Sequence, residues 1–385
     1  MSYTMKKQFL STLLAFSLAG AVNAEVVVGV TVSSTGPAAA IGIQSHNAIK
    51  LWPDTLGGEA ARYIVLDDAT DVSKAVRNVR KLTSEDGIDL LVGPNITAGA
   101  LAILDVLVET KTPMISLVGS GSVVQPVNEG GREWAYKMSQ NDNLMAQALV
   151  EDMQKRGFKT IGYIGYADAY GDSWWREFSA AADGKLEIVA RETYQRTDSS
   201  TMGQVLKLLS AKPDAILIAG AGTPTVLPQK TLKERGYEGQ IYQTHGIATP
   251  EFLQVGGAVV EGTLFPTGPS VVARTLPDEH PAKQKALDFA ETYEASYGEG
   301  TATQFSSDAW GAWVLADSAV ARTLAEGLKP GTTAFREALR QQLEQTKDLI
   351  VPTGVLNVTP QDHQGFDARA VVMGQVKDGK FVYAE

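Results

Sequence analysis

Two hydroxyl side chains of the sequence stand where they could hold a small anion. Thr97 and Ser120 each lie in a loop of small residues that follows an apolar run, 88–92 in one case and 114–117 in the other. A hydroxyl can donate to a carboxylate, and the backbone N–H groups of Ala98 and Gly121 could add to the binding. The alternative is that Thr97 caps a helix and Ser120 is an ordinary loop serine, and spacing alone favours that alternative.

Three loops in the second half of the chain could face the first two. They span residues 167–171, 220–224 and 244–246, and each follows a strand-like run. Tyr170 offers a ring and a hydroxyl, and His245 offers a neutral or a charged donor. Ala169 and Gly222 are small residues of the same loops that leave room beside them. A lone loop histidine is more often structural than functional, but its position after a strand favours a role in binding.

Catalytic and cofactor chemistry has little support in the sequence. A hydrolase would need Ser120, His245 and Asp168 to meet, and nothing marks Ser120 as a strained nucleophile. Gly220 and Gly222 begin a glycine pattern that lacks the third glycine of a dinucleotide loop. The four histidines are scattered without metal-ligand spacing. We therefore predict no enzymatic activity, no cofactor and no metal, and keep a Ser/His hydrolase as a remote alternative.

Alternating strands and helices must position these loops. Strand-like runs at 26–32, 63–66, 88–92, 114–117 and 135–138 alternate with helical patterns, and after a polar break the alternation restarts with runs at 160–166, 188–194, 215–219 and 240–243. This alternation predicts an α/β fold with parallel sheets. The loops at the carboxyl ends of parallel strands gather on one rim of each sheet, where ligands bind.

The chain contains three places at which it could cross between two lobes. They are the polar or Pro/Gly-rich segments 139–143, 267–270 and 351–354. We predict that residues 25–141 plus 269–350 form lobe 1, and that residues 142–268 plus 351–385 form lobe 2. Lobes that are joined only by such crossovers can hinge about them.

The first 24 residues have the features of a secretory signal peptide. Lys6 and Lys7 precede an apolar run from 9 to 22, and small residues end at Ala24. Removing them leaves 32 basic and 44 acidic residues, a net charge of −12, which makes nucleic acid an unsuitable partner. The sequence has no cysteine, so it has neither disulfides nor a lipid-modified cysteine. We expect a monomeric periplasmic protein without a lipid anchor.

Several stretches, taken in order, resemble one known family. The chain is similar to the periplasmic solute-binding proteins of branched-chain amino acid type ABC importers in VVVGVTVSSTGPAAA (26–40), LLVGPNITAGALA (90–102), TPMISLVGS (112–120), DAYGDSWW (168–175) and EGTLFPTGP (261–269). The resemblance covers nearly all of the chain after residue 24. It implies a Venus-flytrap protein, a type I periplasmic binding protein, with two Rossmann-like lobes joined by three crossover segments, which delivers a small solute to a membrane ABC permease.

The resemblance also implies roles for individual residues. Thr97 and Ser120 match the family's hydroxyl contacts to the ligand carboxylate, Ala98 and Val118 match its backbone contacts, and Tyr170 matches an aromatic residue on the other lobe.

Two positions depart from the amino-acid binders of the family. His245 stands where they carry an acid for the ammonium group, and Gly222 where an aromatic residue often stands. The Thr-His-Gly arrangement at 244–246 resembles relatives that carry aromatic carboxylates. The resemblance thus favours an aromatic acid, with a branched-chain or other amino acid next. A ligand-sensing protein that acts with a separate receptor is the alternative from another class.

Overall fold

The computed structural model describes residues 25–384, so the signal peptide expected at 1–24 lies outside the described residues. The first lobe contains a six-stranded sheet. Its strands are β1 (Val26–Val32), β2 (Thr55–Leu56), β3 (Glu59–Asp67), β4 (Leu90–Val92), β5 (Met114–Ser116) and β6 (Ala135–Lys137), in the order β2-β3-β1-β4-β5-β6. Only the β2–β3 pair is antiparallel. All seven residues of β1 are buried, because helices cover both faces of the sheet.

Helices from two parts of the chain cover this sheet. Four come early, α1 (Ala39–Ile49), α2 (Val72–Ser84), α3 (Thr97–Ala102) and α4 (Leu104–Thr110). The second lobe interrupts the sequence with helices α5 (Asp142–Lys155), α6 (Ala169–Ala182), α7 (Met202–Ser210), α8 (Val226–Glu234) and α9 (Pro250–Gly256). The first lobe then resumes with α10 (Lys283–Tyr297), α11 (Gln304–Ala325) and α12 (Thr333–Leu343), whose apolar faces join the core around β1.

The second lobe is built on a seven-stranded sheet. Five strands are parallel, β7 (Thr160–Tyr166), β8 (Glu187–Tyr194), β9 (Ala215–Ala219), β10 (Gln240–Gln243) and β11 (Leu264–Thr267). A hairpin, β12 (Leu349–Val351) and β13 (Gly354–Leu356), comes before the last two strands, β14 (Val372–Lys377) and β15 (Lys380–Tyr383), which add antiparallel to the sheet in the order β15-β14-β11-β10-β9-β7-β8. The predicted α/β fold with two lobes on mainly parallel sheets is confirmed.

The third crossing lies later in the chain than the sequence indicated. Residues 351–354 are not a crossing, because Pro352 and Thr353 form the turn between β12 and β13. Leu356, Phe366 and Ala370 pack in the core of the first lobe, and the chain joins the second sheet only at β14. The predicted assignment of residues 351–370 to lobe 2 is therefore corrected, since the buried apolar side chains of this segment have their contacts in lobe 1.

Two buried glutamines connect the three crossings. The Nε2 atom of Gln140, on the first crossing, donates to the carbonyl oxygens of Thr353 at 2.8 Å and Ala370 at 2.9 Å. The Nε2 atom of Gln304 donates to Oε1 of Gln140 at 3.1 Å, and its Oε1 accepts from the backbone N–H of Gly268, on the second crossing, at 2.9 Å. One chain of amide hydrogen bonds therefore holds the crossings together.

Candidate ligand-binding site between the lobes

The carboxyl ends of the strands in the two lobes face each other across a small cavity. Its volume is about 20 Å³, roughly the room that one water molecule needs. The first lobe contributes Ile41, Asn95, Ile96, Thr97, Leu117, Gly119 and Phe305, and the second lobe contributes Tyr170, Arg196, Ala221, His245 and Gly246. Any ligand of amino-acid size requires the lobes to move apart, because these residues leave so little space.

The structure brings only part of the predicted site to this cavity. Thr97, Tyr170 and His245 line it, in agreement with their positions at strand ends. Five other predicted residues are not among its lining residues, namely Ala98, Val118, Ser120, Ala169 and Gly222. Gly119 lines the cavity where its two neighbours in sequence, Val118 and Ser120, were expected to do so.

His245 is a buried, neutral imidazole in this cavity. Burial, and then the charge of Lys137, lower the pKa of His245 to about 3, so the ring carries no charge near neutral pH. Its Nδ1 atom has no hydrogen-bond partner within residues 25–384, and a Cβ atom added to Gly119 of the opposite lobe would lie 2.4 Å from its Nε2 atom. The ring is thus in tight contact with lobe 1 and retains one nitrogen for a ligand.

Tyr170 is fixed in the first turn of α6. The Asp168 side chain caps this helix by accepting from the backbone N–H groups of Tyr170 at 3.0 Å and Gly171 at 3.1 Å. The hydroxyl of Tyr170 lies 3.1 Å from Oγ1 of Thr244. Burial raises the pKa of Tyr170 well above its usual value, so its hydroxyl remains protonated. A ring held in this way can pack on a flat ligand.

Ser120 connects the lobes instead of facing the cavity. Its hydroxyl donates to Oγ of Ser173, on α6, at 2.7 Å, and Ser173 in turn donates to the carboxylate of Asp142. A second bond across the cleft runs from Nε2 of Gln44 to Oε1 of Glu251 at 3.0 Å. The Ser120 hydroxyl is therefore committed to a contact between the lobes in this closed arrangement.

Thr97 does not cap α3, so the capping role suggested by its position is wrong. The helix begins at Thr97 itself, Ile96 occupies the N-cap position, and no side chain accepts from the first N–H groups. Thr97 is 3% exposed and lines the cavity. Its hydroxyl has no capping role and is available to a ligand.

Backbone geometry accounts for the glycine at position 222. Gly222 has φ +70° and ψ −166°, a combination that only glycine adopts readily. An added Cβ atom would lie 3.9 Å from Ile41 and 4.0 Å from Ala40, both in lobe 1, so the surrounding space would accept it. The absence of a side chain here follows from the turn, without any need for a wider pocket.

Gly222→Ala is therefore expected to destabilise the protein by about 1–3 kcal/mol, the usual cost of such a backbone conformation for an L-residue. Urea unfolding at constant pH measures the loss. Gly203→Ala is the matched control, because Gly203 lies in α7 with open space around it, and there alanine should be neutral or slightly stabilising. Equal stability of the two variants would contradict this account of Gly222.

Arg196 is a cavity residue that the sequence reasoning missed. It follows β8, and its Nε atom donates to Oδ2 of Asp168 at 2.7 Å. The guanidinium carbon lies 4.0 Å from the centroid of the Tyr166 ring, and the side chain is only 12% exposed. Its position in the sequence could have indicated it, since the loop that contains Arg196 follows the predicted strand 188–194 and so belongs to the same rim as the other loops. Ile41, Asn95 and Phe305 were missed as well.

A family model described as periplasmic binding protein matches residues 25–380. The chain belongs to the periplasmic binding protein family. This binding protein is 26% identical over 255 residues to a Leu/Ile/Val-binding protein homologue from Brucella melitensis, a match that covers 64% of the chain and 68% of the relative. The family indicated by the sequence motifs is confirmed.

Solved structures match the binding protein over almost its whole length. An extracellular ligand-binding receptor from Rhodopseudomonas palustris HaA2 is 40% identical, with a TM-score of 0.89 and coverage of 94% of this chain and all of that one. Two more distant structures share the fold. A branched-chain amino acid binding protein from Streptococcus pneumoniae in complex with isoleucine has 19% identity, a TM-score of 0.76 and coverage of 94% and 99%. A solute-binding protein from R. palustris in complex with benzoate has 20% identity, a TM-score of 0.78 and coverage of 93% and 95%.

The binding protein is a solute-binding protein and not an enzyme, and the family implies a periplasmic location. The geometry agrees, because the three residues considered for a hydrolase are not assembled. Ser120 donates to Ser173, and Asp168 pairs with Arg196 and caps α6. His245 has no partner on Nδ1 among the described residues. Within residues 25–384, no helix is long and apolar enough to cross a membrane.

Proposed function

We propose that this binding protein captures a small carboxylate between its lobes, with aromatic acids bound more tightly than branched-chain amino acids, and delivers it to a membrane ABC permease. One observation carries the preference for aromatic acids. None of the residues that line the cavity carries a carboxylate, whereas the lining includes Tyr170, Phe305 and several aliphatic side chains. Family membership supports the transport role.

An amino acid would bring an ammonium group into this site without a charge partner. Asp168 is the acidic residue of the second-lobe loops that could serve as that partner, but it already accepts from Arg196 and from two backbone N–H groups. His245 is neutral, and its protonated form would be a cation, so it cannot serve as the charge partner of an ammonium group. An unpaired buried charge costs several kcal/mol. A flat aromatic acid carries no ammonium group, so it needs no acidic partner in the site, and it can bury its ring against the apolar lining.

The solved relatives support both ligand classes within the family. The benzoate complex shows an aromatic acid bound to a protein of this fold, and the isoleucine complex shows an amino acid bound to another. Branched-chain amino acids are therefore the second candidates. The residues of the cavity, and not the fold, decide between the two classes.

Benzoate and 3-phenylpropionate are expected to raise the melting temperature more than leucine, isoleucine or valine at equal concentration. A ligand at about 100 times its Kd adds roughly 2.7 kcal/mol to the free energy of unfolding. A thermal-shift screen followed by calorimetry makes the comparison. Micromolar leucine binding with no response to either aromatic acid would refute the proposed ligand class and leave the transport role in place.

A further inference from the structure

Arg196 is held rigidly at the edge of the cavity. Its Nε atom donates a hydrogen bond to Oδ2 of Asp168 at 2.7 Å, and its guanidinium carbon lies 4.0 Å from the centroid of the Tyr166 ring. Tyr166 is itself fixed, because it is 1% exposed and its hydroxyl donates to the carbonyl oxygen of Ala221 at 2.6 Å. A guanidinium held in this way loses little side-chain entropy when it binds a ligand.

The terminal nitrogens of Arg196 remain available for that purpose. Nε is the one guanidinium atom with a hydrogen bond to another side chain within residues 25–384. Asp168 directs one oxygen to Nε and the other to the first N–H groups of α6. The negative charge of Asp168 is therefore shared between the N-terminus of α6 and Arg196. The Nη1 and Nη2 atoms form the end of the fork, which matches a carboxylate in shape and charge.

A second residue that lines the cavity carries a buried polar atom without a hydrogen-bond partner among the described residues. The Nδ1 atom of His245 is buried without a partner among the described residues, and His245 as a whole is 2% exposed. A buried nitrogen of this kind normally has a hydrogen-bond partner. Arg196 and His245 are both on the second lobe, so they can act together on one end of a ligand.

Ser120, one of the two hydroxyl residues expected to hold the carboxylate, already has a hydrogen-bond partner in lobe 2. Ser120 donates to Ser173 and lies outside the cavity lining. Thr97, a neutral hydroxyl, is the remaining lobe 1 candidate among the predicted anchors. Of the cavity residues, Arg196 alone carries a full positive charge near neutral pH, because His245 is uncharged. The charge that selects an anion therefore comes from lobe 2.

We propose that Arg196 is the specificity-determining residue of the site and that its Nη atoms pair with the carboxylate of the ligand. This inference rests on the proposed function, since it names the group that recognises the acid. Asp168 and Tyr166 act as positioning residues for it. The ligand is then oriented with its charge toward lobe 2 and its apolar part toward Ile41, Leu117 and Phe305 of lobe 1.

The test compares acids with their uncharged amides. Calorimetry measures the Kd of benzoate against benzamide, 3-phenylpropionate against 3-phenylpropionamide, and leucine against leucinamide, on the wild type, Arg196→Gln and Arg191→Gln. Arg191 is the matched control, because it lies on β8 of the same lobe, is exposed, and stacks on Trp175 at 4.1 Å without lining the cavity.

Arg196→Gln is expected to raise the Kd of the acid by about 10- to 100-fold, since a hydrogen bond to a charged group is lost. The affinity for the amide should change by less than about threefold, and Arg191→Gln should leave both affinities unchanged. Arg196→Lys keeps the charge without the fork and should give an intermediate loss, which also provides a second variant if the glutamine protein folds poorly.

Other outcomes would overturn the inference. An equal loss for acid and amide would make Arg196 a residue that shapes the pocket, and unchanged acid binding would return the anchor to Thr97. If leucine is the ligand that binds, the aromatic preference fails, but the comparison of leucine with leucinamide still decides the role of Arg196. If no acid of the panel binds the wild type, both proposals fail.

Discussion

Gly119→Ala is expected to weaken ligand binding by about 10- to 100-fold while both lobes remain folded. In the closed arrangement the new Cβ atom would lie 2.4 Å from Nε2 of His245 and 3.7 Å from the ring of Tyr170, both on the opposite lobe. Such an overlap must be relieved by movement, and overpacking of this kind costs about 1–3 kcal/mol. The cost is expected only in the closed arrangement, because opening about the crossings would separate Gly119 from His245.

Calorimetry with the best ligand of the screen measures this loss, and small-angle scattering measures closure. The variant should need a higher ligand concentration to reach the compact form. Gly203→Ala again serves as the control, since it adds the same methyl group to α7 in open space. If Gly119→Ala binds and compacts like the wild type, the contact between Gly119 and His245 does not belong to the ligand-bound state.

Asp308→Asn is expected to change the pH dependence of stability more than any other single substitution considered. Asp308 is fully buried near the crossings and accepts from Ser139 at 2.8 Å and from Gln304 at 2.7 Å. Burial raises the pKa of Asp308 to about 7, although its two hydrogen bonds and the charge of Lys137 favour ionisation. The folded protein therefore holds a proton there that the unfolded chain releases near its ordinary pKa of about 4.

The sign of the effect follows from proton linkage. Stability from this proton is fully present below the unfolded pKa and is lost as the pH rises through the folded pKa, so the window lies between about pH 4 and about pH 8. Over that window the wild type should lose roughly 4 kcal/mol of unfolding free energy relative to Asp308→Asn. Urea titrations across the range measure the difference. Parallel curves for the two proteins would mean that Asp308 is already ionised and paired with Lys137 in the folded state.

The fold could be predicted because parallel strands that are buried on both faces leave a clear pattern. Val26–Val32 and Ala215–Ala219 are wholly buried and correspond to unbroken apolar runs. The end of the third crossing could not be predicted in the same way. Pro352 and Gly354 mark a turn, but a turn signal does not show which core the following residues 355–370 join, because that depends on long-range packing.

The candidate site was predictable only at the level of loops. Tyr170 and His245 were found because residues after parallel strands share a rim. The direction of each side chain was not predictable, as Ser120 shows by bonding to Ser173, which is 53 positions away in sequence. Arg196 was missed for a related reason, since its position depends on an ion pair with Asp168 that no local pattern records.

The amide network at the crossings has a consequence for the kinetics of ligand exchange. Gln140 and Gln304 bind Gly268, Thr353 and Ala370 into one unit, and both glutamine side chains are wholly shielded from water. Breaking a single bond would leave a buried amide group unsatisfied, which costs about 1–3 kcal/mol. The three crossings, which contain Gln140, Gly268 and Ala370, are therefore expected to rotate together about one axis. Positions between the open and closed arrangements are then disfavoured. Opening should accordingly follow single-exponential kinetics, with ligand release and the movement of the lobes proceeding at the same rate.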